Sequence, residues 1–209
     1  FSRCSSITSV VWNAKIAEDY QSKNYAPFEN SPICNFVFGD GVQHIPAFLC
    51  YNLSSLPTIT IPQNIKTIGK NAFGQCVGLT SIEWNPITCT GYWDAEYTYP
   101  IFTGCNNVES VVFGDNVQEI PKYLCYQMSK ITSLALPKSL NTIGFRAFKE
   151  CSSLSTITIP KSVNTIASDA FDACTSLNKT NYTGDVATWC NIKFANSTAN
   201  PINYSHNFY

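Results

Sequence analysis

The sequence predicts a repeat solenoid, between α/β and mostly β, in which about eight coils stack with a parallel sheet along the concave face and a mostly irregular or short-helical convex side. Two observations predict it: a short motif recurs along the chain, and its spacing is nearly constant. The motif has the form Leu-x-x-Ile-x-Ile, as at Leu154, Ile157 and Ile159, and self-similarity at a fixed period indicates stacked structural units. Its first positions are 7, 33, 56, 79, 108, 131, 154 and 177.

The spacings between these positions define the register of the array. They are 26, 23, 23, 29, 23, 23 and 23 residues, which indicates a 23-residue coil with two insertions. A longer period is present as well, because FVFGDGVQHIPAFLCY (36–51) and VVFGDNVQEIPKYLCY (111–126) lie 75 residues apart. Three coils therefore form a higher-order unit that is used about twice.

Each coil contains a short strand, a turn and a second apolar wall. The fourth and sixth positions of the motif are two residues apart, so they point to the same side of a strand. Proline follows the strand at Pro62, Pro137 and Pro160, where its fixed φ and missing N–H end the pairing. A second apolar pair, such as Val163 and Ile166, supplies the opposite wall. One coil alone leaves both walls in water, so stacking is required.

Seven of the ten cysteines follow the repeat. Five lie three residues before a motif start, each with a phenylalanine three residues earlier: Cys4, Cys76, Cys105, Cys151 and Cys174. In the coils that start at Leu56 and Ile131 the sizes are exchanged, because Cys50 and Cys125 take the Phe position and Leu53 and Met128 take the Cys position. This exchange conserves volume, as a close-packed interior requires.

The placement of these seven cysteines favours small, buried, reduced side chains over a disulfide framework or a metal site. Stacked ladder cysteines would lie about one strand spacing apart, so a bridge between neighbours is sterically feasible. Cys34, Cys89 and Cys190 fall outside the ladder. Whether those three form disulfides stays open at this stage.

Composition limits the class of protein and of partner. The 209 residues are 44% hydrophobic and 13% charged, too apolar for disorder, and no apolar run reaches the ~18 residues of a membrane span. A net charge of −1 without a basic cluster argues against nucleic acid and direct membrane insertion. The chain starts within a Phe-x-x-Cys motif, so we expect one solenoid over 1–209 that is part of a longer chain. Uncapped terminal coils would favour end-to-end self-association.

The pattern in LPTITIPQNIKTIGKNAFGQC (56–76) resembles the BspA-like leucine-rich-repeat proteins of bacteria and protists. The resemblance covers roughly residues 1–182, and the non-repeat segment 183–209 is similar to one that interrupts repeat arrays in that family. It implies a right-handed leucine-rich-repeat solenoid, a secreted or cell-surface location, and adhesion to host proteins, glycans or other cells. It implies no catalytic residues, which leaves none to assign.

An enzyme is not favoured by the residues themselves. The two histidines, His44 and His206, lie in a polar slot of a coil and in the C-terminal segment, and we interpret both as surface residues. Zinc-ligand spacing and a glycine-rich phosphate loop do not occur. We therefore predict no enzyme, no cofactor and no metal site.

The candidate ligand-binding residues lie mainly on the two insertions, 13–28 and 85–102, which leave their coils after a Trp-Asn pair. Exposed aromatic residues are enriched in recognition surfaces. The candidates are Tyr20, Tyr25, Tyr92, Trp93, Asp94, Glu96, Tyr97 and Tyr99, together with Ser81, Glu83 and Ser110 on the outward side of the strands. The expected partner is an extracellular protein or glycan. Two alternatives are that the rings cover the solenoid edge, and that the chain is a spacer or stalk.

Overall fold

The computed structural model describes residues 1–91 and 100–209, and it is built almost entirely from short parallel strands. The strands are β1 (Ser9–Trp12), β2 (Asn35–Phe38), β3 (His44–Ile45), β4 (Thr58–Ile61), β5 (Thr67–Ile68), β6 (Ser81–Trp84), β7 (Thr90–Gly91), β8 (Ser110–Phe113), β9 (Glu119–Ile120), β10 (Ser133–Ala135), β11 (Thr142–Ile143), β12 (Thr156–Ile159), β13 (Thr165–Ile166), β14 (Lys179–Tyr182) and β15 (Lys193–Phe194). The described helices are short: α1 (Val186–Trp189), α2 (Ile202–Ser205), and 3-10 turns at Lys23–Tyr25 and Ser197–Ala199.

The first wall of the solenoid confirms the predicted register. Every predicted motif start is followed two residues later by a four- or three-residue strand: β1, β2, β4, β6, β8, β10, β12 and β14. Their pairing is parallel and joins equivalent positions, such as Thr58 with Ser81 and, across the second insertion, Ser81 with Ser110. Along strands such as β4 and β8 the inward residues are buried and the outward ones are exposed, as the two-residue alternation requires. In β1, at the end of the array, the inward residues are half-buried.

A second wall consists of two-residue strands. Sheets β3-β5-β7 and β9-β11-β13-β15 pair in parallel, and each predicted inward residue at this wall, such as Ile68 or Ile143, is buried. The last of these strands, β15, belongs to the segment that does not align with the repeat, yet Lys193 pairs with Thr165. Residues 183–209 thus continue the coil path. Phe208 also forms a parallel bridge to Thr180 beside β14.

The third wall has no strands among the described residues and uses left-handed turns instead. Residues four apart, such as Arg146 and Glu150, have φ of 54° and 64°. Backbone N–H groups there donate to the next coil, as from Phe148 to the Ala170 carbonyl. A positive φ is unfavourable for residues other than glycine, and this inter-coil ladder holds the turns in place. The predicted irregular side is therefore an ordered wall of turns.

The core is one continuous cluster that runs through the coils from Phe28 to Ala199. Phenylalanines stack in pairs along it, with ring centroids 5.1 Å apart for Phe73 and Phe102 and 5.4 Å apart for Phe148 and Phe171. Phe1 and Phe28 form a third stacked pair, at 5.9 Å, and buried Cys50 and Cys125 occupy the same position in the coils between the three pairs. The predicted volume exchange is therefore present, since each small thiol is matched by Leu53 or Met128, both buried.

The 75-residue period is visible in the strand pairing. The first wall is divided into the sheets β1-β2, β4-β6-β8 and β10-β12-β14, so pairing is interrupted before β4 and again before β10. These interruptions are three coils apart and fall at the coils that begin with Cys50 and Cys125. The sheet of the first wall is therefore interrupted at the same coils in which cysteine replaces phenylalanine in the core.

The Trp-Asn and Phe-Gly motifs are matched between neighbouring coils. Gly39 donates its N–H to the Trp12 carbonyl, and Gly114 donates to Trp84 in the same way. A Cβ on Gly39 would collide with Asn13 Oδ1, and one on Gly114 would lie 2.5 Å from Asn85 Oδ1. Any larger residue would displace the asparagine side chain of the preceding coil, which packs against the glycine backbone there.

Candidate binding surface

The first insertion is tied to the second wall through one carboxylate. Asp19 Oδ1 accepts a hydrogen bond from the Ala47 backbone N–H (2.7 Å) and lies 3.0 Å from His44 Nε2. His44 Nδ1 in turn lies 2.7 Å from the Thr67 hydroxyl. Because Pro46 has no N–H to donate, Ala47 is the first residue after β3 that can bond to the preceding coil. The three side chains join the insertion to two consecutive coils.

A threonine, a histidine and an aspartate in series also build catalytic relays. Here the same oxygen of Asp19 accepts the Ala47 N–H, so the carboxylate serves as an anchor for the insertion. The sequence placed His44 in a polar slot but did not identify Asp19 as its partner. The second histidine, His206, is exposed. Within the described ranges, no three His, Cys, Asp or Glu side chains come close enough to hold a metal ion.

The two tyrosines of the first insertion have different environments. Tyr20 is half-buried and packs against the core and against the small cluster of Ala26, Ala47 and Phe48, and burial raises the pKa of its hydroxyl. Tyr25 is 65% exposed, and Ile16 in the same insertion is 94% exposed. Tyr20 therefore covers the solenoid edge, as the structural alternative expects, whereas Tyr25 is presented to solvent.

The predicted residues of the second insertion cannot be placed in the same way. Tyr92, Trp93, Asp94, Glu96, Tyr97 and Tyr99 lie outside the described residues. The segments on either side are well packed, since Cys89, Ile101 and Phe102 are buried. Burial, with a smaller effect from the nearby Glu119 carboxylate, raises the pKa of the Cys89 thiol to about 12. Cys89 is therefore a core residue, whereas Cys34 and Cys190 are exposed.

The outward side of the first wall brings the three strand candidates together. Ser81 and Ser110 are paired across β6 and β8, and Glu83 lies two residues further along β6. Glu83 is exposed and accepts a hydrogen bond of 2.9 Å from the Thr60 hydroxyl on the neighbouring strand. Exposed valines continue this side at Val37 and Val112. This surface therefore combines hydroxyl, aliphatic and carboxylate groups, and the Glu83 carboxylate is already hydrogen-bonded within the chain.

A cleft that sequence reasoning missed lies between the first insertion and the third wall. Its volume is about 450 Å³. Gln21 and Ser22 of the insertion line one side, and Phe48, Tyr51, Asn71 and Gln75 line the other. The Phe48 and Tyr51 rings meet edge to face with centroids 5.8 Å apart. The 75-residue period could have pointed to this cleft. The first unit has the neutral residues Asn71 and Gln75 where the next unit has the charged residues Arg146 and Glu150.

Charged side chains on the third wall of the later coils pair with one another. Arg146 Nε lies 3.2 Å from Asp169 Oδ2, and Lys149 contacts Asp172. Hydrogen bonds from Thr198 and Asn196, together with Arg146, lower the pKa of the Asp169 carboxyl. The hydrogen bond to Asp172 raises the pKa of Lys149. These groups link coils to each other and to the C-terminal segment, which leaves them satisfied within the chain.

Comparisons with known proteins agree with this geometry. The family model described as the BspA type leucine rich repeat region matches in 6 copies over residues 1–91 and 98–208. A leucine-rich-repeat protein from Bacteroides ovatus superposes with a TM-score of 0.66 at 28% identity, over 87% of this chain and 44% of its own. A leucine-rich cell surface protein from Faecalibacterium prausnitzii gives 0.58 at 19% identity, over 91% of this chain and 63% of its own.

The chain spans less than two thirds of the length of either solved structure. No match was found among curated proteins. The family model covers nearly the whole chain, and its repeated copies agree with the repeated coils of the two strand walls. The chain therefore belongs to the BspA-type leucine-rich-repeat family.

Proposed function

We propose that this chain is a non-catalytic recognition module of a secreted or surface-displayed protein, and that it binds an extracellular protein or glycan through the face that carries the first insertion. The observation that carries the proposal is the combination of anchoring and exposure in residues 13–28. Asp19 and Tyr20 hold the insertion against the coils, while Ile16 and Tyr25 face solvent. Binding residues are commonly displayed on loops that a rigid scaffold positions.

The surface location is supported by the family and by the F. prausnitzii relative, which is a leucine-rich cell surface protein. In residues 1–91 and 100–209 no helix has the length and apolar character to cross a bilayer. Solenoids of this kind offer extended surfaces on which each coil contributes a few side chains. An anchored, aromatic-bearing insertion adds a local contact point to such a surface.

The test is a binding screen of the 209-residue protein against immobilised extracellular-matrix proteins and a glycan array. For any partner found, the double variant Ile16→Ala/Tyr25→Ala should weaken binding by roughly tenfold or more, since binding energy concentrates in a few anchors. The control is Val186→Ala, which truncates an exposed aliphatic side chain in α1. Both variants should keep the unfolding midpoint, because neither changes the core.

Two results would count against the proposal. Equal loss of binding in the Val186 control would show that the first insertion has no particular role. Absence of any partner in the screen would favour the alternative of a structural spacer within a larger surface protein.

A further inference from the structure

The cleft beside the first insertion contains a polar side chain that forms no hydrogen bond with another residue of the described ranges. Asn71 is only 7% exposed, yet no described residue forms a hydrogen bond with its carboxamide. It lines the cleft, and its backbone has a φ of 50°, so the side chain is positioned by a turn of the third wall. A buried amide is normally satisfied by protein or solvent. The Asn71 amide is not among the fully buried groups that lack a partner, so it can bond to what occupies the cleft.

The cleft has the composition of a small-ligand site. One wall is apolar and aromatic, formed by Phe48 and half-buried Tyr51. The remaining sides are polar and carry three amides, two hydroxyls and two lysines: Asn71, Gln75, Gln21, Ser22, Thr103, Lys23 and Lys70. Pockets that bind small molecules combine an apolar lining with a few placed polar groups in volumes of ≈300–1,000 Å³. The volume of about 450 Å³ lies within that range.

The repeat supplies an internal comparison, because the third-wall positions of the cleft recur 75 residues later with other side chains. Tyr123 and Tyr126 replace Phe48 and Tyr51 and form the same edge-to-face pair, at 5.7 Å. Phe145 packs against Tyr123 with centroids 5.3 Å apart, and the Arg146 guanidinium lies over the Phe145 ring.

Polar groups in the second unit are also engaged with each other. Tyr126 donates a hydrogen bond of 3.4 Å to Glu150, and Arg146 pairs with Asp169. In the first unit the Tyr51 hydroxyl and the Asn71 carboxamide have no such partner among the described residues. The two units share this scaffold, and they differ in whether these polar side chains pair with other described side chains.

We propose that this first-unit cleft is a saccharide-binding site that holds one sugar ring, or the terminal ring of a glycan. A carboxamide offers two donors and an acceptor, which matches adjacent sugar hydroxyls that also donate and accept. Tyr51 provides an aromatic surface for the apolar C–H face of the ring and a hydroxyl at its edge. The inference rests on the proposed recognition function and names a ligand class and a site for it.

The experiment measures binding of methyl glycosides of glucose, galactose and N-acetylglucosamine, and of sialyllactose, by saturation-transfer NMR and calorimetry. The methyl glycosides are neutral and sialyllactose is acidic, so comparing them shows which kind of sugar the cleft binds. Asn71→Asp removes the amide donors but keeps a residue type that tolerates positive φ. Tyr51→Ala removes the aromatic surface, and Tyr126→Ala is its repeat-equivalent control outside the cleft.

Binding of at least one probe, weakened roughly tenfold or more by Asn71→Asp and by Tyr51→Ala but unchanged by Tyr126→Ala, supports the site. The unfolding midpoint of each variant separates loss of binding from loss of folding. The inference is overturned if no probe binds at millimolar concentration, if Asn71→Asp binds as well as the parent, or if an unglycosylated peptide competes for the cleft. Protein binding through Ile16 and Tyr25 without saccharide binding would refute this inference and leave the proposed function in place.

Discussion

At the scale of single residues, the cysteine ladder shows why a thiol recurs where another small apolar residue would also fit. Cys76, Cys105, Cys151 and Cys174 each donate a weak S–H hydrogen bond to a carbonyl of the preceding coil, as from Cys174 Sγ to the Phe148 oxygen at 3.2 Å. The prediction that the ladder interior is buried is confirmed for six of its seven members, and Cys4 is half-buried. The thiol therefore fills a small volume in the core and also donates a hydrogen bond to a backbone carbonyl of the preceding coil.

Thiol titration should divide the cysteines by burial. Cys34 and Cys190 are exposed and should react in the native protein, with Cys4 reacting more slowly. The seven buried thiols should react only after denaturation, because burial disfavours the thiolate that attacks the reagent. Counting labelled cysteines by mass spectrometry with and without denaturant checks this. Full labelling of the native protein, or several disulfides, would contradict it.

The same burial makes stability depend on alkaline pH. Burial raises the pKa of Cys174 from 9.0 to about 12. The raised value favours the neutral thiol in the folded state, so its contribution is fully present below pH 9 and is lost as the pH rises towards 12. The free energy of unfolding should fall in that window by about 1.4 kcal/mol per pH unit for each such thiol.

Cys174→Ala is the matched variant for this pH effect. Chemical denaturation of the parent and the variant at pH 8, 10 and 11 should show a shallower alkaline decline in the variant, because one buried thiol no longer titrates. An identical slope in both proteins would show that the Cys174 thiol ionises as readily folded as unfolded.

At the scale of elements, the Asp19 carboxylate anchors the first insertion and also accepts a hydrogen bond from the backbone N–H of Ala47. Asp19→Ala should lower the free energy of unfolding by about 1–3 kcal/mol, since the partly buried Ala47 N–H loses its acceptor. It should also make residues 13–28 more sensitive to limited proteolysis. The neighbouring Glu18 is exposed, so Glu18→Ala should change stability by less than about 0.5 kcal/mol. Equal stabilities of the two variants would refute the anchoring role.

At the scale of the whole molecule, the coils share one core even though the first wall is divided into three sheets. The hydrophobic cluster continues from Phe28 to Ala199 past both interruptions, before β4 and before β10. Repeat proteins gain much of their stability from contacts between neighbouring coils. A continuous core therefore couples the three groups of coils.

We accordingly expect one cooperative unfolding transition for the 209-residue chain. Calorimetry should give a van't Hoff enthalpy close to the calorimetric one. Two separate transitions, with an independently folded fragment that ends near either sheet interruption, would show that the three-coil units are separate domains.

The sequence by itself determined the 23-residue register, the inward residues of both strand walls, the positions of the insertions and the exchange of cysteine with phenylalanine. It could do so because stacked coils repeat the same environment, so each position is specified several times along the chain. Only the tertiary structure decided that Asp19 anchors the first insertion, that Tyr20 is covered while Tyr25 is exposed, and that Asn71 lines an open cleft. Those features depend on contacts between a non-periodic insertion and coils more than 20 residues away, where no repetition specifies the partner. The left-handed turns of the third wall could not be predicted from the sequence either, because their positions hold residues as different as Phe48, Arg146 and Ala173. The hydrogen bonds between coils select that conformation.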